Sequence, residues 1–454
     1  MKQPFLWIPN CNKPIYIQLY ECIRKSILKG EYKTNEKMPS IRSMAKNLNI
    51  SKTTVETSYQ QLIMEGYIRG IEKVGYFVEK FDEEIFKMDI NEEIYLKELN
   101  NETFTNEKFD KNSFDLNIWK RYLSKGINEE LVSLFQYGHP QGERNLRCAL
   151  SEYVRSARGV IAFPEQIVIG AGTQQLLFVL SELLKEKYKS IYFEKPIFGK
   201  ASHIFNAVGY KTFGVDNNDL ILGNYGENRE KNILYVSPSH QFPYANTMSI
   251  AKRLQILKWA QISDGLIIED DYDGELRYQG QPIPSLQGIN KGKRVVYLGA
   301  FSKILLPSIR IGFMVLPEDW VYEYQKVAHN YSQTVSQIEQ FALAKFIEDG
   351  SLERHVRKIR NLYAKKSKKV TEELVKAFGE DIEILASDTG LYIVFKFTKK
   401  VNSEKLNNEL IKCKIKMNIY EDNEKIFIMP FSGIELNEVK DVINNLNKCF
   451  YRSV

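Results

Sequence analysis

The sequence predicts two folded units in one chain, a small helical unit that ends in a β-hairpin and a larger α/β unit. At 454 residues the chain exceeds what one hydrophobic core usually organises. Residues 13–78 contain short helical patterns followed by an alternating, glycine-containing stretch. From about Phe114, helical segments alternate with short β-branched strands, which is typical of a mainly parallel sheet wrapped by helices. A helical stretch from about Val321, followed by three strands, predicts a small C-terminal α+β lobe.

The composition favours a cytoplasmic globular protein. It is 43% hydrophobic and 26% charged, and no apolar run approaches the roughly 20 residues that span a bilayer. The first ten residues lack the order of a signal peptide. The five cysteines and five histidines are scattered, so we expect neither a disulfide framework nor a metal site.

The charge is distributed unevenly along the chain. Residues 1–78 carry 12 Lys/Arg and 6 Asp/Glu, a balance of +6, whereas residues 79–108 carry 4 basic and 10 acidic residues, a balance of −6. A basic head before an acidic tether suggests an anionic partner, with nucleic acid first among them. An unevenly charged solvated surface explains the same numbers equally well.

The helical patterns of the head have the spacing of a helix-turn-helix. A first helix begins at Ile15 and stops at Gly30. Ser40 is the expected N-cap of the second helix and Ser51 that of the third, with a tight turn between them. Two short strands, 67–69 and 75–78, then form a wing.

The third helix of this head can enter the major groove of DNA. Its exposed N-terminal half and the wing, with Lys73 at the tip, supply candidate DNA contacts, namely Lys52, Thr53, Thr54, Glu56, Thr57, Arg69 and Lys73. Taken singly, each of these side chains is an ordinary solvated residue, so the prediction rests on their ordered series.

The series MPSIRSMAKNLNISKTTVETSYQQLIMEGY closely resembles the GntR family of winged helix-turn-helix regulators. The resemblance implies that Arg42, Lys52 and Thr53 approach phosphates and base edges. Glu56 stands where many members carry a basic residue, and it can accept a hydrogen bond from a cytosine amino group. Lys73 replaces a common wing glycine, so the operator sequence does not transfer from the family.

In the α/β unit, the segment VVYLGAFSKILLPSIRIGFMVLP places Lys303 directly after an apolar strand. A desolvated lysine there can form a Schiff base with an aldehyde. Arg310 can hold a phosphate through two hydrogen bonds, and Ser302 can add a hydroxyl. A lone lysine in this position is more simply a strand-end residue, so the interpretation needs further groups.

Three other segments supply such groups. The strand end IIEDDY offers carboxylates and the phenol of Tyr272 to a pyridine ring, which needs a carboxylate on its nitrogen. A strand, a glycine-rich turn and a helix expose the amides of Gly172, Thr173 and Gln174 as a phosphate cup. Phe198 offers an aromatic ring for stacking.

Together these segments resemble the fold-type I, class I aminotransferases, and more closely the MocR/GabR regulators, in which a GntR head is fused to such a domain. The resemblance covers almost the whole chain. It implies pyridoxal phosphate (PLP) as cofactor, Lys303 as its Schiff-base lysine, Tyr272 as partner of the 3-hydroxyl, and Asp270, with Asp271 as the alternative, as partner of the pyridinium. Arg310, Ser302 and residues 172–174 then take the phosphate.

Two departures from the aminotransferases favour regulation. The asparagine that would bond the cofactor hydroxyl is missing, and only His240 or Gln241 stands nearby. No arginine occurs between Arg360 and Arg452, where aminotransferases bind the ligand carboxylate. Lys416 and Lys425 are the available substitutes, but lysine lacks the two-pronged geometry of a guanidinium.

The predicted domains are therefore a winged helix-turn-helix at 1–78, an acidic linker at 79–112 and an aminotransferase-like domain at 113–454. The last divides into a large domain at about 135–325 and a small lobe at about 326–454. The predicted protein is a transcription regulator that binds promoter DNA, in which PLP, alone or after reacting with an amine effector, alters binding to promoters of vitamin-B6 or amino-acid metabolism genes. The resemblance also implies a head-to-tail homodimer with exchanged DNA heads. The alternative is an active aminotransferase with an added DNA-binding head; an empty vestigial pocket is a third hypothesis.

Overall fold

The computed structural model describes residues 13–80, 110–216, 231–280, 283–421 and 425–454. The chain divides into two compact units, the first of which includes residues 13–80 and the second residues 110–454. Most of the predicted linker, residues 81–109, lies outside the described residues.

The first unit contains three helices and a β-hairpin: α1 (Ile15–Leu28), α2 (Ile41–Leu48), α3 (Lys52–Met64), β1 (Ile68–Ile71) and β2 (Gly75–Val78). Ser40 and Ser51 accept hydrogen bonds from the amides of Ser43 and Thr54, so both predicted caps are present. Asn49 ends α2 in the left-handed conformation, at φ 53°, which asparagine tolerates better than most residues. The two caps and this turn fix where α3 begins relative to α2.

The second unit is built on a seven-stranded sheet in the order β3-β9-β8-β7-β6-β4-β5. Only β9 runs antiparallel to its neighbours, and the other pairs are parallel. The strands are β3 (Ile167–Gly170), β4 (Ser190–Glu194), β5 (Lys211–Val215), β6 (Asn232–Val236), β7 (Leu266–Asp271), β8 (Val295–Ala300) and β9 (Gly312–Val315).

Helices cover this sheet, and its central strands β6, β7 and most of β8 are buried, as expected when both faces are packed; β6 and β8 are mainly apolar, whereas β7 is apolar only in its first half. The helices before the small lobe are α4 (Leu116–Glu129), α5 (Arg144–Arg158), α6 (Thr173–Leu184), α7 (Gly199–Val208), α8 (Ile250–Ile262), α9 (Leu286–Ile289), α10 (Glu318–Ala328) and α11 (Gln337–Glu348).

The small lobe follows the 28-residue helix α12 (Ser351–Phe378). It is a four-stranded antiparallel sheet in the order β10-β11-β13-β12. Its elements are β10 (Ile382–Ala386), β11 (Tyr392–Phe397), α13 (Ser403–Lys412), β12 (Asn418–Glu421), β13 (Lys425–Pro430) and α14 (Val439–Tyr451). The predicted mainly parallel sheet with a small α+β lobe is therefore confirmed.

Across the described helices, none is long and apolar enough to cross a membrane. Within the same residues, no group of three or more His, Cys, Asp or Glu side chains is placed to hold a metal ion.

One buried ion pair ties the start of the second unit to the small-lobe side. Lys366 of α12 is 2% exposed; its ammonium lies 2.5 Å from an Asp110 carboxylate oxygen and donates to the Ser432 carbonyl at 2.9 Å. Because both side chains are buried, each compensates the desolvation of the other.

We expect Lys366→Met to lower the free energy of unfolding of the second unit by about 3–5 kcal/mol, because it leaves a buried carboxylate without a partner. Lys365→Met changes an exposed lysine one residue earlier and should stay within about 0.5 kcal/mol of the parent. Urea unfolding followed by circular dichroism measures both. Equal midpoints for the two variants would contradict the role of this pair.

Candidate functional site

The predicted DNA-reading residues lie at the start of α3 and before it. Lys52, Thr53 and Glu56 are exposed, as is Arg42 on α2. The hydroxyl groups of Thr54 and Thr57 are already engaged, with Ser51 Oγ at 2.7 Å and with the Thr53 carbonyl at 2.9 Å. Glu56 lies four residues after Lys52 and three after Thr53, so these three side chains share one face of α3, while two of the predicted threonines contribute to the helix itself.

The wing turns at Lys73, which is exposed and has a φ of 59°. Arg69 on β1, a predicted DNA contact, has two partners within the head unit. Its guanidinium donates to Glu79 at 3.0 Å and to Asn35 at 2.7 Å. Of the two predicted wing cations, Lys73 is exposed at the turn, whereas Arg69 connects the hairpin to the chain before α2 through its hydrogen bond to Asn35.

In the second unit, the carboxyl ends of β6, β7 and β8 meet at one edge, where ligands bind in open α/β sheets. Lys303 follows β8, and its Nζ lies 4.5 Å from the centroid of the Tyr272 ring. The same nitrogen is 3.9 Å from Asp273 Oδ2. The lysine is thus bordered by an aromatic ring and a buried carboxylate.

Three consecutive carboxylates end β7, and each has different partners. Glu269 accepts from the amides of Leu286 and Gln287 at the start of α9. Asp271 accepts from Arg158 Nε at 2.6 Å and from the Tyr297 hydroxyl at 2.7 Å. Successive strand residues point to opposite faces, so the intervening Asp270 faces away from Arg158.

Asp270 accepts a hydrogen bond from the Tyr235 hydroxyl. Burial raises the pKa of Asp270 from 3.8 to about 6, although the bond from Tyr235 acts in the opposite direction. Asp271 is occupied by Arg158 and Tyr297, so the geometry favours Asp270 over Asp271 as the carboxylate available to a cofactor.

The predicted phosphate cup lies at the start of α6. Gly172 has a φ of 85°, and a Cβ placed there would stand 2.6 Å from Arg310 Nη2. Only glycine therefore lets the guanidinium approach this turn. The Gly172 amide bonds the Gly170 carbonyl at 2.7 Å, so Thr173 and Gln174 supply the amides, whose orientation at a helix start suits an anion.

His240 is buried and bridges three groups. Its Nδ1 lies 2.7 Å from Asp273 Oδ1 and its Nε2 lies 3.2 Å from the Tyr392 hydroxyl. Its carbonyl accepts from the Tyr272 hydroxyl at 2.9 Å. His240 therefore positions Tyr272 and Asp273, whereas the sequence suggested it only as a substitute for a missing asparagine.

The remaining predicted residues border this edge. The Phe198 ring stacks on Tyr235 with centroids 6.4 Å apart, and Phe198 is 40% exposed. Ser302 is half-buried beside Lys303. Lys425, one proposed substitute for the missing arginine, donates instead to Val401 and Ser403 at 3.1 and 2.6 Å.

Sequence reasoning missed Arg158, Tyr235, Asp273 and Tyr392. Asp273 directly follows the quoted segment IIEDDY, and its carboxylate two residues after Asp271 was the available signal. Arg158, Tyr235 and Tyr392 lie 113, 35 and 120 residues from their partners Asp271, Asp270 and Tyr272. No local pattern points to contacts of this range.

Two family models match the chain. Residues 15–78 match the bacterial regulatory proteins of the gntR family, and residues 106–438 match aminotransferase class I and II. The HTH-type transcriptional regulator YdeL of Bacillus subtilis is 34% identical, with 95% of this chain and 96% of that protein covered. The chain therefore belongs to the family of HTH-type transcriptional regulators in which a gntR-family head precedes an aminotransferase class I and II domain.

A second relative and a solved structure agree with this assignment. The probable rhizopine catabolism regulatory protein MocR of Rhizobium meliloti is 28% identical over 97% of this chain and 94% of its own. A kynurenine aminotransferase structure from Pyrococcus horikoshii has a TM-score of 0.68 at 22% identity, covering 82% of this chain and 97% of that one. That structure supports the fold of the second unit.

The regulator's aminotransferase domain has PLP as its cofactor, and the residues present fit that group. The glycine cradle beside Arg310 suits a phosphate, the buried Asp270 suits a protonated ring nitrogen, and Lys303 can bond an aldehyde. When bound, PLP supplies an electrophilic carbon that exchanges between amines.

We expect wild-type affinity for PLP to fall as the pH is lowered through about 6. The pKa of Asp270 is raised to about 6, so the carboxylate is ionised at neutral pH and protonated at about pH 5, and only the ionised form attracts a pyridinium. Between about pH 7.5 and 5, Kd should rise about ten-fold more in the wild type than in Asp270→Asn. Fluorescence titration measures both. A pH profile unchanged by the substitution would assign the ring nitrogen to another group.

Proposed function

We propose that PLP held at Lys303 sets how strongly the regulator binds promoter DNA, alone or after an amine effector has taken the place of Lys303. The observation that carries this proposal is the position of the Lys303 amine, between the Tyr272 ring and the buried Asp273 carboxylate, in a chain that also carries a gntR-family head. A retained lysine in this setting argues against an empty vestigial pocket.

Each group at the sheet edge has a proposed role that follows from its contacts. Asp270 keeps the cofactor's ring nitrogen protonated, and Tyr272, fixed by the His240 carbonyl, faces the ring hydroxyl. Arg310, Ser302 and the amides of Thr173 and Gln174 hold the phosphate, while Phe198 covers the ring. These groups bind and orient the cofactor without requiring that a reaction be completed.

The DNA-binding role is proposed for the surface formed by Arg42, Lys52, Thr53 and Glu56, with Lys73 on the wing. The two cations at the start of α3 and on α2 suit phosphates, and Glu56 suits a cytosine amino group. Genes of vitamin-B6 supply and of amino-acid use are both compatible targets.

We further propose that the regulator acts as a homodimer, in the head-to-tail arrangement with exchanged DNA heads that its resemblance to MocR/GabR regulators implies. An exposed apolar strip between α4 and α5 supports a self-association surface. Leu131 and Val132 are 54% and 77% exposed, and Phe135 and Tyr137 are 86% and 105% exposed. Monomeric proteins rarely leave four large apolar side chains so close in sequence exposed to water, and such a patch often marks an interaction surface.

The second candidate function is amino transfer, which the set of Lys303, Asp270 and Tyr272 favours. Against it, Lys425 is engaged elsewhere and no arginine occurs between Arg360 and Arg452. Repeated turnover of common amino donors with 2-oxo acids would establish this function beside regulation. A single half-reaction without turnover would not establish amino transfer as a function.

We expect Lys52→Ala to weaken binding to a duplex selected from genomic fragments and to reduce the slope of log K against log salt by about 1, because one phosphate contact is lost. Lys29→Ala removes an exposed cation at the end of α1 and serves as the control. Fluorescence anisotropy at several salt concentrations gives both slopes. An unchanged slope in Lys52→Ala would remove this lysine from the interface.

We expect PLP to change the recovery of selected promoter fragments by the wild type but not by Lys303→Ala, because the variant cannot hold the cofactor covalently. Lys293→Ala, an exposed lysine before β8, should respond as the wild type does. Sequencing of bound genomic fragments with and without PLP measures the change. The same PLP response in Lys303→Ala would contradict the proposal.

A further inference from the structure

Carboxylates outnumber cations at the cofactor edge of the sheet. Four buried carboxylates, of Glu269, Asp270, Asp271 and Asp273, lie at this edge with three cations; Arg310 is assigned to the cofactor phosphate, which leaves Arg158 and Lys303. Three of the four have their donors within the protein: two amides for Glu269, Tyr235 for Asp270, and Arg158 with Tyr297 for Asp271. Two oxygens of this group have no donor among the described residues, Asp271 Oδ1 and Asp273 Oδ2, and of these two carboxylates only Asp273 pairs with Lys303, at 3.9 Å.

The second oxygen of Asp273 is directed at the site. Asp273 is fully buried, and its Oδ2 accepts no hydrogen bond from any described residue. Lys303 Nζ lies 3.9 Å from this oxygen. At that distance the ammonium attracts the carboxylate electrostatically but does not form a hydrogen bond with it. A buried carboxylate oxygen without a donor is costly, so a ligand donor that reached Oδ2, beside Lys303, would remove that cost.

The small lobe faces this carboxylate with aromatic and apolar groups. Tyr392 stacks on His240, with centroids 5.3 Å apart, and its hydroxyl reaches His240 Nε2. Behind Tyr392 lies an apolar cluster that includes Val394, Ile426 and Ile428. Residues 361–451 contain no arginine, so none of the four strands of the lobe carries a guanidinium for a ligand carboxylate.

Three arginines around the cofactor segment are engaged elsewhere, and Arg310 is assigned to the cofactor phosphate. Arg158 binds Asp271 and Ser239, and Arg277 donates to the Gln279 carbonyl and to Thr247. Arg360 donates to the Glu275 carbonyl at 3.1 Å. The charge pattern at Lys303 therefore favours a cationic ligand and disfavours an anionic one.

We propose that the effector site selects primary amines that lack a carboxylate, and that Asp273 Oδ2 receives their ammonium group. This inference rests on the proposed function, because it assumes PLP bonded to Lys303. The incoming nitrogen forms a bond to the cofactor's aldehyde carbon while the bond from that carbon to Lys303 Nζ breaks. With the imine nitrogen protonated before and after the exchange, the incoming ammonium loses two protons and the Lys303 nitrogen gains two, so atoms and charge balance and Asp273 then faces the lysine ammonium.

The experiment measures displacement of Lys303 in the full-length, PLP-loaded protein. Two matched pairs differ only by a carboxylate: ethylamine with L-alanine, and 2-phenylethylamine with L-phenylalanine. After incubation, borohydride reduction fixes the cofactor on those chains still bonded to it, and intact mass spectrometry gives their fraction. The same amines acting on PLP bonded to Nα-acetyl-lysine correct for intrinsic reactivity.

We expect each amine to reach half-displacement at a corrected concentration at least about ten-fold below that of its amino acid, because both offer the same ammonium but the amino acid adds a negative charge beside the Asp273 carboxylate. An amino acid that displaces Lys303 as readily as its amine overturns the inference and assigns a carboxylate-binding group. If no cofactor is fixed on untreated chains, the covalent site itself is wrong, which separates failure of the proposed function from failure of this inference.

Asp273→Asn tests the assigned carboxylate. Ethylamine should then need about ten-fold more for half-displacement, while L-alanine changes little. The control is Asp388→Asn, which removes the same charge from an exposed position and should leave both values unchanged. An Asp273→Asn protein that holds PLP and still discriminates as the wild type does overturns the role of Asp273. The paired amines test ligand class in the unsubstituted protein even if this variant does not fold.

Discussion

The ion pair of Arg158 with Asp271 is the interaction on which the cofactor edge depends. Arg158 ends α5 and Asp271 ends β7, and their side chains are 2% and 1% exposed. Ser239 and Tyr297 join the pair, and the Arg158 carbonyl accepts from the Ser285 amide before α9. Burial works to lower the pKa of Arg158, but attraction by Asp271 outweighs it and the net shift is upward. One guanidinium thus fixes the end of β7, and the strand's alternation turns Asp270 to the opposite face.

That constraint gives neighbouring carboxylates different tasks. A charge fixed by a buried partner is costly to move, so Asp271 serves the fold, and Glu269 likewise holds the start of α9. Burial raises the pKa of Asp270 to about 6, and Asp273, the carboxylate beside Lys303, has one oxygen without a donor among the described residues. A ligand can shift an equilibrium only by what it gains in one state over the other. A cationic ring nitrogen at Asp270, or an ammonium at Asp273, would gain binding free energy from these two carboxylates.

Local patterns predicted much of this molecule. Ser40 and Ser51 indicate where helices begin because their side chains form short-range hydrogen bonds with the first helical turn. Lys303 is recognisable because an apolar strand precedes it in sequence and a phosphate-binding segment follows it. The resemblance favoured Asp270 over Asp271, but the physical reason was not available from the sequence, since it depends on Arg158, 113 residues away. The double engagement of Arg69 by Glu79 and Asn35 was hidden for the same reason. Chain-distant partners decide which side chains remain for a ligand.

The most direct test of the central claim is nitrogen NMR of the regulator loaded with PLP labelled with ¹⁵N in its ring. If Arg158 holds Asp271 and leaves Asp270 for the cofactor, the ring nitrogen is protonated at neutral pH in the wild type and loses its proton in Asp270→Asn. A ring nitrogen that stays protonated in Asp270→Asn would show that another carboxylate serves it, and the division of tasks along β7 would be wrong.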